Sequence, residues 1–162
     1  MVSETIMVDK LEVIVFTLFD SKTDRKENYG VDIKQVQEII SVEKITRLPK
    51  APEYVKGIMN LRGKIITIID VKQKLGFPIE STDNKNSSIL ISKINEQVIG
   101  FLIDDVDEVI RIEIKDIDRT VLENSESSSY LQGFVKTKER LVILLNLAEL
   151  IKNTLIPQGG TL

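Results

Sequence analysis

The chain has 162 residues, 42% of them hydrophobic and 29% charged, which suits one compact domain or two small ones sharing a core. A formal net charge of −3 gives no electrostatic reason to expect nucleic acid as a partner, because phosphate binding needs a basic face. Cysteine is absent, which excludes disulfides and thiolate chemistry, and histidine is absent, which removes the commonest general base and metal ligand.

A cytoplasmic location is the simplest expectation for such a chain. Residues 1–10 hold no apolar core of a signal peptide, and no apolar run approaches the roughly 18 residues that span a bilayer. Direct membrane insertion is therefore not expected, and any membrane location would come through a partner.

Residues 1–10 read as a loose start. Residues 11–19 are β-branched and aromatic and predict a buried strand, 20–28 a polar loop, and Tyr29-Gly30-Val31 a return to the sheet. Asp32, with Gln35 three residues on, approximates a capping box, and Ile33, Val36 and Ile40 fall at helical spacing, so 32–40 predicts a short amphipathic helix. Residues 42–48 predict a strand, and 52–57 one helical turn with Pro52 near its start and Gly57 past its end. Two apolar runs then flank Arg62-Gly63 at the spacing of a β-hairpin, with Arg62 at its tip.

A turn of helix at 71–75 ends at Gly76, and 80–87 is a polar loop near the middle of the chain. Beyond it, 88–94 and 97–103 predict paired strands around Asn95-Glu96. Residues 106–112 look extended, 114–118 form a single turn, and 124–129 a Ser-rich loop. Residues 131–136 and 141–145 predict a last hairpin, 147–152 a short helix, and 153–162 a frayed tail. An internal repeat is visible: 30–40 parallels 100–110, and 57–71 parallels 133–147. Many short strands with turn signals between them favour small barrels.

Catalysis finds little support. The densest carboxylate cluster, Asp104, Asp105, Asp107 and Glu108, lies near a strand end, where alternation sends neighbours to opposite faces. A solvated edge is the favoured reading, and a small-barrel enzyme using Asp104 and Asp107 is the alternative. No phosphate-binding glycine motif is present, and residues 20–24 lack the Gly and terminal Glu of a calcium loop. No catalytic residue, metal site or cofactor is assigned. For binding, Arg62 alone would fit a solvated turn. Gly57 and Gly63 beside it imply close backbone approach or special φ, and a guanidinium on a stiff hairpin can grip a carboxylate bidentately. The stripe around Val36 reads first as core.

Gly57, Asn60-Leu61-Arg62-Gly63 and the apolar strand ending in Asp70 resemble the signature of CheW, the bacterial chemotaxis coupling protein family. Tyr29 to Ile33, Val36-Gln37-Glu38-Ile39 and Thr46-Arg47-Leu48-Pro49 fit the same family in the same order, and the likeness covers residues 11–152. It implies a mostly β fold of two five-stranded Src-homology-type barrels packed together with a few short helices. The halves are placed at 11–82 and 83–152, with strand exchange between them left open. It also implies a non-catalytic adaptor that bridges chemoreceptors and the histidine kinase CheA, in chemotaxis or another chemosensory pathway, and sits at receptor arrays through those partners.

By the same resemblance, Val36, Glu38, Gly57, Asn60, Arg62 and Gly63 are expected to bind the receptor tip. Gly133, Lys138 and Arg140, in the repeat's counterpart of the Arg62 tip, are assigned to the regulatory domain of the kinase. The chain departs from the family in its long, charged connection over 19–28, expected to be a solvated extension of the hairpin.

Overall fold

The hydrophobic runs fold into strands that exchange between two sheets. A computed structural model describes residues 9–20, 22–78, 86–122, 129–152, 154, 156 and 157. Among these, the strands are β1 (Lys10–Asp20), β2 (Arg25–Asp32), β3 (Glu38–Ser41), β4 (Val55–Leu61), β5 (Lys64–Asp70), β6 (Ser88–Ile94), β7 (Gln97–Ile103), β8 (Val106–Glu113), β9 (Leu131–Lys136) and β10 (Leu141–Leu145). Two short helices, α1 (Val71–Lys74) and α2 (Leu147–Leu150), follow β5 and β10. One five-stranded sheet, sheet A, runs β8-β1-β2-β10-β9, and the other, sheet B, runs β3-β6-β7-β5-β4.

The sequence repeat is a structural one. β2 pairs in parallel with β10, Gly30 opposite Leu144, and β7 pairs in parallel with β5, Gly100 opposite Ile68. Gly133 faces Leu144 as Gly57 faces Ile68, each beside a bulge in its hairpin. Isolated bridges Thr46 to Ile58 and Asp118 to Phe134 flank the two glycine strands alike. Asp70 and Asn146 cap α1 and α2 with their side chains.

The boundary near residue 82 divides the repeats but not the sheets. β1 and β2 join β8, β9 and β10, while β6 and β7 join β3, β4 and β5. The cause is the parallel pairing, since parallel neighbours need long connections and here each takes its partner from the other repeat.

Three apolar clusters follow from this exchange. Val13, Val15, Ile112, Val135, Val142 and Leu144 fill sheet A, and Met59, Ile66, Ile68, Ile89, Ile91 and Leu102 fill sheet B. The first holds residues of both edge strands, β8 and β9, and Ile40 of edge strand β3 packs against the second with Met59 of β4. A flat sheet cannot bring its edges onto one cluster, so each sheet curls around its own. The largest cluster lies between the sheets and includes Phe16, Val31, Ile69, Phe101 and Leu145. Neighbours such as Ile68 and Ile69 thus point into different cores, so the central strands read as continuous apolar runs.

Several local expectations fail for tertiary reasons. The helix expected over 32–40 is a 3-10 turn at Ile33–Gln35 followed by β3, because Glu38–Ser41 pairs with the edge of β6. Residues 42–48 supply the Thr46 bridge in place of a full strand, and 52–57 is a turn running into β4. The polar connection after β1 is mostly strand, with Asp20 paired to Arg25. The tail is held where it is described: Thr67 Oγ1 donates to the Pro157 carbonyl and Ile156 packs on the central cluster. Most of the loops expected over 80–87 and 124–129 lies outside the described residues.

Asp70 caps α1 by accepting from Lys72 N at 3.0 Å and Gln73 N at 3.4 Å. Burial raises its pKa above the ordinary value, against the lowering effect of these bonds and of Lys56 and Lys72. A carboxyl raised in the folded state favours folding at low pH and loses that contribution as pH rises through the folded pKa. Asn146 shows that an amide caps the equivalent helix. At pH 7 the Asp70→Asn variant is therefore expected to melt at the same temperature as the parent or higher. The difference should shrink on acidification below the ordinary carboxylate range, as calorimetry across pH would show.

Candidate functional site

The β4–β5 hairpin turns through Arg62-Gly63, both at positive φ (50° and 84°), the geometry of a two-residue primed turn. Asn60 Oδ1 accepts from Gly63 N at 2.9 Å and stiffens the tip. The Arg62 guanidinium donates to Glu38 on β3. Since β3 and β4 are opposite edges of their sheet, this ion pair spans the seam where the sheet curls shut. The Arg62 side chain is 69% exposed, which limits the pair to below about 1 kcal/mol. It orients the tip, while the apolar cluster beneath holds the barrel.

The second sheet repeats the device with more groups. Arg140 donates to Asp107 Oδ2 at 2.7 Å and Glu108 Oε2 at 2.5 Å on edge strand β8, and to Asn28 Oδ1 at 3.2 Å on β2. Thr17 Oγ1 also donates to Asp107, at 2.6 Å. The bond to Asp107 is the main cause that holds the guanidinium pKa above its ordinary value. Glu108 stands where Glu38 stands in the repeat. Beneath the tip lies a cavity of about 220 Å³, floored by Val15, Ile110 and Val142 and rimmed by Glu108, Lys138, Glu139 and Arg140.

Glu38, Asn60, Arg62 and Gly63 thus come together at one barrel end, and Lys138 and Arg140 at the other. Val36 stands apart, half-buried against the central cluster where the chain crosses from β2 to β3. The two glycines expected at these sites lie below the surface. Gly57 and Gly133 are buried, and an added Cβ would lie 2.3 Å from the Thr46 carbonyl or 2.8 Å from that of Asp118. They admit the crossing segment and do not themselves present a surface.

Sequence reasoning missed the engagement of the acidic cluster. Asp107 and Glu108 serve Arg140, and Asp104 accepts from Phe19 N at 2.9 Å with Lys72 Nζ at 3.4 Å. The signal was available, because the repeat sets Glu108 against Glu38. Among the described residues no group of three acidic side chains is placed to hold a metal ion.

The CheW-like domain profile matches residues 13–155. The chain belongs to the CheW-like domain family. Chemotaxis protein CheW of Helicobacter pylori is 36% identical over 78% of this chain and 76% of its own. That of Klebsiella aerogenes is 32% identical over 88% and 82%. The crystal structure of the scaffolding protein TtCheW from Thermoanaerobacter tengcongensis superposes with a TM-score of 0.75 at 33% identity, over 93% of this chain and 92% of that one. The role that follows is that of a chemotaxis coupling adaptor.

Two stability experiments separate the parts of the site. Gly57→Ala forces a Cβ against the Thr46 carbonyl at a φ of +154° and is expected to cost about 2–4 kcal/mol in urea unfolding. Arg62→Ala should cost less than about 1 kcal/mol. Arg140→Ala, which removes bonds to two partly exposed carboxylates and an amide, should cost about 1 kcal/mol in the same assay.

Proposed function

We propose that this CheW-like chain bridges chemoreceptors and the CheA histidine kinase, using separate surfaces on its two barrels. The observation that carries the reading is duplication: each barrel ends in a hairpin tip locked to its own edge strand by an Arg–Glu pair. A single chain with two such ends suits an adaptor, which needs two contacts held in fixed relation.

The tip formed by Glu38, Asn60, Arg62 and Gly63, with Val36 beside the central cluster, is the receptor surface in this reading. Lys138 and Arg140 form the kinase surface. The apolar floor of the cavity between them has the volume to accept one large apolar side chain from the kinase regulatory domain, and the charged rim would fix its approach. Catalysis has no part in this reading, since histidine and cysteine are absent and Asp104, Asp107 and Glu108 are occupied in ion pairs. No described helix is long and apolar enough to cross a membrane, so position at a receptor array would be borne by the partners.

Titrations of a receptor tip hairpin and of the isolated regulatory domain of the cognate kinase test the assignment. Arg62→Ala should weaken the receptor fragment about tenfold or more and leave kinase-domain affinity within about twofold, the behaviour of an interface anchor. Lys138→Ala with Arg140→Ala should do the reverse. Receptor affinity unchanged in Arg62→Ala would refute the assignment of that tip, and binding to neither partner would refute the bridge.

A further inference from the structure

The chain crosses between sheets twice, after β2 and after β7, and a polar joint stands at each crossing. At the first, Gln35 Oε1 accepts at 2.7 Å from N of Leu147, the first residue of α2, which follows β10 of sheet A. The carbonyl of the same Gln35 accepts from Oγ of Ser92, a buried residue of β6 in sheet B. One residue therefore binds both sheets, and Gln37 N adds a bond to the Ile91 carbonyl at 2.7 Å. At the second crossing Asp104, one residue before the repeat counterpart of Gln35, also contacts both sides. It accepts from Phe19 N of sheet A at 2.9 Å and meets Lys72 Nζ of α1, which follows β5 of sheet B, at 3.4 Å.

The two joints differ in kind. Gln35 is neutral and its two bonds have fixed directions, with Ser92 only 2% exposed. Asp104 relies partly on an ion pair whose carboxylate is one-third exposed, and such a pair is screened by salt. Val36 follows Gln35 directly and packs against the central cluster between the sheets. A ligand that presses on Val36 therefore displaces the residue whose neighbour ties α2 to β6.

We infer that Gln35 is a positioning residue that sets the angle between the two barrels and carries occupancy of the Val36 surface to the opposite barrel. This rests on the receptor and kinase assignments above. It goes beyond them in naming the element whose two arrangements would couple the sites.

The test uses the full chain with Gln35→Leu, which removes the acceptor at similar volume, and Gln35→Glu, which keeps it. Inter-barrel orientation is read from residual dipolar couplings in the free protein. Binding of the kinase domain is then titrated with and without saturating receptor fragment. The inference expects Gln35→Leu to change the inter-barrel orientation and reduce the receptor's effect on kinase-domain affinity to within about twofold of none. Each binary affinity should stay within about twofold, and Gln35→Glu should restore both orientation and coupling. Parent-like orientation in Gln35→Leu would overturn the inference, as would a change that Gln35→Glu fails to rescue. Ser92→Ala, which removes the other arm of the joint, should give a smaller shift in the same direction, and parent-like couplings there count against it. If the parent binds neither partner, the bridging assignment fails, while the orientation measurement in the free protein still decides what Gln35 does.

Discussion

The parallel pairing of β2 with β10 and of β7 with β5 is the constraint on which the rest of the molecule depends. It places the first two strands of each repeat in the sheet of the other, so sheet A is assembled from the two ends of the chain, while the strands of sheet B, β3 to β7, are consecutive. The pairings are long-range: Gly30 meets Leu144, and Val13 of β1 meets Ile110 of β8. Contacts of that separation must close large loops before they gain any burial, which makes sheet A the slower of the two to form. The same interleaving explains the cluster between the sheets, because each central strand has to bury both of its faces.

Polar groups then act where burial cannot choose a geometry. The Arg62–Glu38 pair is too exposed to hold a barrel closed, and burying a single Ile68 or Ile89 side chain, at about 1.5–3 kcal/mol, outweighs it. What the ion pairs select is direction: a guanidinium at each tip is aimed across the seam at a glutamate on the far edge strand. Stability and surface geometry are thereby assigned to different residues, and a tip can be altered without opening the core. Gly57 and Gly133 differ from the tip residues, since both are buried and lie against the backbone of Thr46 and Asp118.

Much of this was legible in the sequence, and the failures have common causes. Strands with continuous apolar runs or a clear turn signal, such as 88–94 and 97–103 around Asn95-Glu96, fall where the residues place them. The hairpin tip at Arg62-Gly63 was equally plain. Residues 32–40 misled because Ile33, Val36 and Ile40 share a helical spacing but bury against different things. Ile33 is exposed, Val36 meets the central cluster and Ile40 the core of sheet B. Pairing with β6 decided the matter, and no local pattern reports a pairing partner. The exchange of strands was left open for the same reason, although the repeat carried its register: Gly30 with Gly100 and Gly57 with Gly133 fix equivalent points of both sheets. Gln35 was read as part of a capping box with Asp32 but bonds Leu147, and Thr67 gave no signal, because a single polar residue in a crossing or a strand declares its partner only in three dimensions.

An adaptor transmits a signal only if displacement at one surface costs free energy at another. Couplings between sites are typically about 1–3 kcal/mol. The cluster between the sheets, with Phe16, Phe101, Ile69 and Leu145 fully buried, represents several times that amount even as an upper estimate. A partner therefore cannot separate the barrels, and the response available is a small rotation with the apolar contacts kept. Apolar packing is non-directional and resists such a rotation weakly, whereas hydrogen bonds at a crossing resist it strongly because they depend on angle. The interleaved core supplies the permanence of the joint, and the few polar groups at the crossings supply its angle. Sensitivity to a partner is thus concentrated in residues that contribute little to overall stability.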